Sequence, residues 1–157
     1  MEIKTTVETT IRTPREDFFD LAVSNDALPR LFHSYGPLAG VAKAEMLEGR
    51  AVEEGATRRV TMTDGMVMDE MIVELRRPSV HRYRWLSALH APLSWLVSGC
   101  EALWVFTDVP GGTHLNYSYT FRLTSALAYP FAKPITWLMR RWQLSAIERA
   151  KTELVRG

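Results

Sequence analysis

Four side chains have the chemistry for proton transfer, provided that they face the interior of the protein: Asp69, Glu70, His90 and Glu101. A buried carboxyl or imidazole shifts toward its neutral form, which suits it to proton transfer near neutral pH. Strand faces alternate, however, so a charged residue among apolar neighbours more often faces solvent. The four are therefore weak candidates, and no catalytic residue is assigned from the sequence.

Signature motifs of several common enzyme classes are missing from the chain. There is no GxSxG nucleophile elbow, no P-loop and no GxGxxG dinucleotide motif. The four histidines show neither HxH nor HExxH spacing, and the single cysteine has no partner for a disulfide or a cysteine-based metal site. We therefore expect no metal site and no cofactor.

The order of apolar and polar residues predicts the elements that would position such groups. Residues 2–11 predict a strand, the Thr13–Pro14 pair predicts the start of a helix, and 27–32 predicts a second short helix. Between Gly40 and Leu123, six β-like runs are separated by Gly, Pro and Asp. Apolar residues then recur at helical spacing, which predicts a long helix over at least 134–154, with prolines restricting its regular part to residue 133 onward.

The last predicted strand shows which of its faces should be buried. Leu115, Tyr117, Tyr119 and Phe121 are expected to face the helix, with Asn116, Ser118 and Thr120 facing away. The element order predicts an α+β fold, in which a curved antiparallel sheet of about seven strands wraps around a long C-terminal helix, with two short helices after the first strand.

Length, composition and charge restrict the class of protein. A chain of 157 residues that is 46% hydrophobic and 24% charged predicts one domain over 1–157. Its formal net charge of +1 argues against nucleic acid as a partner. The sequence shows no charged-then-apolar leader and no apolar run of transmembrane length, so we expect a cytoplasmic protein without a transmembrane segment.

Four stretches carry a resemblance to a known family: TTVETTIRTPREDFFDLAVSNDALPRLF, GATRRVTMTDG with the following DEMIVELRRPSVHRYRW, ALWVFTDVPGGTHLNYSYTF, and AIERAKTELV. In these, over essentially its whole length, the chain resembles the START-like (SRPBCC) superfamily, in particular the bacterial polyketide cyclase/dehydrase and lipid-transport branch. The resemblance implies a helix-grip fold with a deep cavity between the concave sheet and the long helix. It further implies that this cavity holds an apolar ligand.

Large side chains on the sheet and the helix are expected to line this cavity and to bind its ligand. They are Tyr83, Trp85, Trp104, Phe106, Tyr117, Tyr119, Leu138 and Trp142. The inward parity of Trp104 and Phe106 stays open, because Leu103 and Val105 would serve almost as well. The same aromatic residues would also make a filled core, because interiors pack densely.

The segment LSALHAPLSWLVSG at 86–99 is unexpectedly apolar for a connection between two strands. Its Leu89, Trp95, Leu96 and Val97 would line or cover the mouth of the cavity. Alternatively, the loop folds back onto the core or buries itself in a homodimer contact.

Three functions remain open at this point. The first is binding or carriage of a hydrophobic small molecule, lipid-like or aromatic and polyketide-like, and we favour it. The second is an aromatase/cyclase-type enzyme, in which an inward acid or base assists aldol condensation and dehydration of a polyketide-like substrate. The third is a protein-interaction module with a filled core. The resemblance cannot choose among them, because one fold hosts many functions.

Overall fold

A seven-stranded antiparallel sheet is the frame of the protein, in a computed structural model that describes residues 1–86 and 91–156. Its strands are β1 (Glu2–Ile11), β2 (Val41–Met46), β3 (Thr57–Met62), β4 (Val67–Arg76), β5 (Val80–Trp85), β6 (Val97–Val109) and β7 (Gly112–Leu123). From β2 to β7 each strand pairs with the next, and β1 pairs with β7 at the other edge. The predicted meander, α+β class and curved sheet are confirmed.

Three helices complete the fold: α1 (Arg15–Val23), α2 (Leu28–Leu31) and α3 (Tyr129–Arg156). The predicted long helix over 134–154 is confirmed, but α3 begins earlier than the predicted start near residue 133. Pro130 is tolerated because it lies in the first turn, where backbone N–H groups have no partner within the helix. Pro134 lies inside the helix and leaves one carbonyl of the preceding turn without its usual donor.

The hairpin between the two longest strands, β6 and β7, is packed tightly against the end of β1. Gly111 adopts a φ of +81°, a conformation that favours glycine. A Cβ atom on Gly112 would lie 2.2 Å from the carbonyl oxygen of Ile11, so a larger residue there would force the backbones apart. This close approach joins the hairpin to the edge strand.

Helix α3 crosses the concave face of the sheet and covers its apolar residues. The predicted face of β7 is confirmed, since all four of its apolar residues are buried. Ser118, on the opposite face, is buried as well. Gln143 is fully buried and fastens α3 to the sheet: its Oε1 accepts a hydrogen bond from the Thr5 hydroxyl at 2.6 Å, and its Nε2 donates to the Tyr117 carbonyl at 3.4 Å.

None of the helices in the described part of the chain combines the length and the apolar character that crossing a bilayer requires.

Candidate functional site

A cavity of about 390 Å³ lies between the concave sheet and α3. Its wall is mostly apolar, with aromatic rings from the sheet, the end of α2 and α3, and methionine side chains from β3, β4, the turn between these two strands and α3. These residues are Phe32, Tyr83, Trp85, Trp104, Tyr119, Trp142, Met62, Met66, Met68 and Met139. The volume falls within the range of roughly 300–1,000 Å³ that is usual for small-molecule sites.

Five of the eight residues that the sequence suggested for ligand binding line this cavity: Tyr83, Trp85, Trp104, Tyr119 and Trp142. Trp104 and Phe106 both point inward, which settles the parity that the sequence left open, because Leu103 and Val105 are only partly buried on the other face. Ligand contact by the five residues stays a prediction.

The other three suggested residues lie outside the cavity wall. Phe106 packs edge-on against Phe18 and Phe19 of α1, with ring centroids 5.2 and 5.4 Å apart. Tyr117 is fully buried and stacks on Trp104, with centroids 3.7 Å apart. Leu138 is only half-buried. Met139 reaches the cavity instead, because one residue turns a helical side chain by about 100°.

One buried ion pair interrupts the apolar wall. Arg58 on β3 lies directly opposite Glu70 on β4, and its Nη1 is 3.4 Å from the Glu70 carboxylate. Both side chains line the cavity and are almost fully buried. The Nη2 of Arg58 donates to the carbonyl of Val23 at 2.7 Å, while its Nε has no hydrogen-bond partner among the described residues. The cavity therefore contains both a fixed positive charge and a carboxyl group.

Burial determines the protonation preference of this carboxyl. It raises the pKa of Glu70 above the ordinary value, and the charge and hydrogen bond of Arg58 only partly oppose that shift. Glu70 therefore keeps its proton more readily than an exposed glutamate does.

Tyrosine hydroxyls form a second polar feature of the site. Tyr117 donates to the Tyr119 hydroxyl at 2.9 Å, and the hydroxyls of Tyr119 and Tyr83 lie 3.1 Å apart. Burial raises the pKa of each of the three phenols, so they remain protonated hydrogen-bonding groups at neutral pH. Only Tyr83 and Tyr119 reach the cavity.

His81 lies on the same inward face of β5 as Tyr83, with ring centroids 4.9 Å apart, and it is buried without lining the cavity. Burial, with a smaller effect of the nearby Arg58 charge, lowers its pKa to about 3. Neither ring nitrogen has a hydrogen-bond partner among the described residues. The imidazole is therefore neutral at physiological pH.

Of the four weak catalytic candidates, Glu70 is the one that the described structure places in the cavity. Asp69 lies on the outer face, where it accepts two hydrogen bonds from Arg59 at 2.9 and 3.0 Å that lower its pKa. Glu101 also faces outward, half-exposed, 3.5 Å from Arg82. His90 lies outside the described residues.

Arg58 is the charged residue of the cavity that the sequence analysis missed. In TRRVTM, Arg58 shares its strand face with Val60 and Met62, which both line the cavity. Since side chains alternate along a strand, two apolar residues at this period place an arginine on the interior face. That signal was present in the sequence, although charged residues are almost never fully buried unless they are paired.

The described part of the apolar loop, from residue 91 onward, contributes to the cavity wall. Ala91, Pro92 and Leu93 line the cavity, Val97 is buried, and Leu96 is partly buried. Trp95 points into solvent with 71% of its surface exposed. Leu89, which the sequence suggested for the mouth, lies outside the described residues.

Within the described ranges, no three His, Cys, Asp or Glu side chains are grouped closely enough to hold a metal ion.

No protein-family profile and no curated protein matches the chain. Solved structures do match it. A di-domain ARO/CYC, StfQ from the steffimycin biosynthetic pathway, superposes with a TM-score of 0.76 at 16% identity. The alignment covers 99% of this chain and 52% of the StfQ chain. Protein MLL2253 from Mesorhizobium loti gives a TM-score of 0.72 at 18% identity, covering 99% and 98% of the two chains. Ginseng major latex-like protein 151 from Panax ginseng gives 0.71 at 15% identity, covering 98% of each chain.

These identities are low, so the matches bear on the fold, and this chain spans about half the length of the di-domain protein. They agree with the observed order of a curved antiparallel sheet, two short helices after the first strand and one long C-terminal helix. The chain therefore shares a helix-grip fold with these solved structures, which is the fold that the resemblance of its sequence implied.

Proposed function

We propose that the protein binds or carries a hydrophobic small molecule, lipid-like or aromatic and polyketide-like, in the cavity between the sheet and α3. The observation that supports this most strongly is the cavity itself: about 390 Å³ of space with a largely apolar wall that contains one buried charge pair. Apolar walls with a few placed polar groups are typical of small-molecule sites.

The wall suggests the chemistry of the ligand. Rings such as Trp85, Trp104 and Trp142 favour a planar or polycyclic body through offset stacking, while the flexible methionine side chains adapt to an irregular outline. Arg58 and the hydroxyls of Tyr83 and Tyr119 can donate hydrogen bonds to an oxygen. The expected ligand is therefore largely apolar and carries at least one carbonyl, phenolate or carboxylate oxygen.

A variant that fills the cavity tests this proposal. Val60 lines the cavity, so Val60→Phe should place a ring in the space that the ligand needs. We expect at least about tenfold weaker binding of 1-anilinonaphthalene-8-sulfonate, an apolar fluorescent probe with one anionic group. The added phenyl ring occupies space in which the probe would contact the cavity wall. The stability of the variant should change little, whereas overpacking a filled core costs roughly 1–3 kcal/mol.

Val73→Phe is the matched control, because Val73 lies on a sheet strand and is 38% exposed. It should bind the probe as the wild type does. Native mass spectrometry of the purified protein is the complementary measurement, since a retained apolar molecule would show the ligand class directly. Equal probe binding by Val60→Phe and the wild type, with no retained molecule, would contradict the proposal.

An aromatase/cyclase-type activity is a second candidate, because Glu70 is a buried acid with a raised pKa inside the cavity and beside Arg58. In this mechanism Glu70 would take a proton from the carbon beside a substrate ketone, and Arg58 would stabilise the enolate oxygen that results. Glu70 would then return the proton to the hydroxyl group that leaves as water. Two of the matched structures are di-domain ARO/CYC proteins, which is consistent with this candidate.

Turnover of a poly-β-ketone analogue by the wild type and by Glu70→Gln separates the two candidates. An enzyme should lose product formation in Glu70→Gln while it retains binding, because glutamine keeps the shape of the carboxyl but cannot transfer its proton. A binding protein should form no product in either case.

A further inference from the structure

The surface beside the cavity mouth exposes four large apolar side chains: Trp95, Leu127, Phe131 and Trp137. Their exposed fractions are 71%, 83%, 68% and 57%. We call these four residues the apolar rim. Exposed apolar residues grouped on one surface mark an interaction site more often than isolated ones do.

Hydrogen bonds hold two parts of the rim together. The Thr124 hydroxyl donates to the carbonyl of Trp95 at 2.6 Å, and the Thr124 N–H donates to the carbonyl of Leu96 at 3.0 Å. They fasten the turn that carries Trp95 to the segment that leads through Leu127 into α3. The turn at residues 93–96 and the segment that leads into α3 therefore form one continuous surface.

The helical part of the rim continues this surface along α3. Phe131, Pro134 and Trp137 are spaced by three residues, so they follow one side of the helix, and all three are exposed. The loop part of the rim adjoins the cavity, because Leu93, in the same short turn as Trp95, lines the cavity wall.

The formal side-chain charges that α3 places beside the rim are positive. Lys133, Arg140 and Arg141 are exposed on the same part of α3, and the Arg141 guanidinium lies over the Trp137 ring at 4.9 Å from its centroid. The sequence contains no Asp or Glu from 109 to 147, and none from 86 to 100. This one-sided charge contrasts with a net charge of only +1 for the whole chain.

The charge distinguishes between two possible occupants of the rim. A symmetric contact between two copies of the chain would bring the same basic patches near each other, which is unfavourable. An anionic lipid surface would attract them, and each lysine or arginine near such a surface strengthens binding. Tryptophan is also favoured at the level of the lipid headgroups, where its ring is buried and its N–H stays hydrated.

We infer that the apolar rim docks on an anionic lipid bilayer, with its aromatic side chains in the headgroup region and the cavity mouth next to the membrane. Lys133, Arg140 and Arg141 attract the anionic headgroups, while Phe131 and Trp95 bury their apolar surface. The inference concerns a surface outside the cavity, and it goes beyond the proposed function because it identifies a membrane as the partner of the protein.

Co-sedimentation with lipid vesicles tests the inference. We expect the wild type to bind vesicles of phosphatidylcholine containing phosphatidylglycerol more strongly than pure phosphatidylcholine vesicles, and added salt should weaken the binding. Trp95→Ser/Phe131→Ser should reduce the partition coefficient by at least about tenfold, because each side chain loses its burial in lipid. Val155→Ser is the matched control, since Val155 is 63% exposed at the far end of α3.

A second variant, Arg140→Glu/Arg141→Glu, retains the four apolar side chains and reverses the local charge. It should lose the preference for phosphatidylglycerol, whatever the effect of the serine substitutions on folding. The inference is wrong if the wild type does not bind the phosphatidylglycerol vesicles, or if either double variant binds them as the wild type does. It is also wrong if sedimentation equilibrium shows a dimer that Phe131→Ser dissociates, because the rim would then be a self-contact. The vesicles contain no added ligand, so a failure here leaves the cavity proposal unaffected.

Discussion

The two ends of the interior share strand β6, which contributes Phe106 to one end and Trp104 to the other, but they are filled differently. At one end α1 covers the sheet, and Phe18, Phe19 and Phe106 pack ring edge to ring face with at most 1% exposure. At the other end the wall contains Met62 and Met68, which are only partly buried, and about 390 Å³ stays open. Inward-facing apolar residues therefore make a filled core where a helix supplies matching rings, and they make a cavity where flexible side chains and loops cover them.

The two ends also differ in polarity. The closed end is apolar at its centre, whereas the open end contains the Arg58–Glu70 pair. Removing two charges from water is costly, and their attraction does not always repay that cost. Ionisable groups with perturbed pKa values are concentrated at functional sites, so Glu70, whose pKa burial raises, supports a binding role for the open end.

The largest expected effect compares one truncation at each end. Phe106→Ala should destabilise the protein by about 4 kcal/mol, because it removes a fully buried ring from a packed region and leaves a void. Met68→Ala should cost about 1–2 kcal/mol, since Met68 is partly buried and borders a space that is already open. Urea unfolding of both variants measures the difference. Equal losses would show that the two ends are packed equally well.

The next effect tests the polarity of the open end. Glu70→Leu should cost about 3 kcal/mol, because it leaves the Arg58 charge buried without its carboxylate partner. Arg58→Met/Glu70→Leu should recover a large part of that loss, since an apolar pair removes the uncompensated charge. The double variant would still leave the Val23 carbonyl without its donor, so full recovery is not expected.

A double-mutant cycle that also includes Arg58→Met measures the coupling between the two residues. The sum of the stability losses of the two single variants should exceed the stability loss of the double variant. Simple additivity would mean that the ion pair contributes nothing specific to the open end.

The smallest effect concerns His81, beneath the open end. In the unfolded chain His81 binds a proton near its ordinary pKa of 6.5, whereas in the fold its pKa is about 3. The contribution of His81 to the free energy of unfolding is therefore fully present above pH 6.5. It is lost as the pH falls toward 3, at about 1.4 kcal/mol per pH unit. Between pH 7 and about 4.5 the wild type should lose roughly 2–3 kcal/mol that His81→Leu does not lose.

Thermal unfolding of the two proteins across this pH range checks the prediction. The other titrating groups are common to both proteins, so their effects cancel in the difference. Parallel curves would show that His81 stays accessible to protons in the folded protein.

Much of the fold could be predicted because local patterns reflect it directly. The alternation in β7 identified Tyr119 as inward-facing, and the spacing of apolar residues identified α3. Five cavity-lining aromatic residues followed from the same reasoning. Leu138 and Tyr117 were also expected to line the cavity, but they do not. A hydrophobic pattern shows that a residue is buried, but not whether a ligand space or another side chain lies against it.

The sequence by itself determined which faces of the strands and of α3 are apolar, and hence that a curved sheet must cover a long helix. Only the tertiary structure decided where the interior stays open, because that depends on rings from α1 that meet Phe106 across more than eighty residues of chain. It also decided that Arg58 and Glu70 face the cavity together, since their pairing follows from the register between β3 and β4. A one-residue shift of that register would have turned one of these charges to the other face of the sheet.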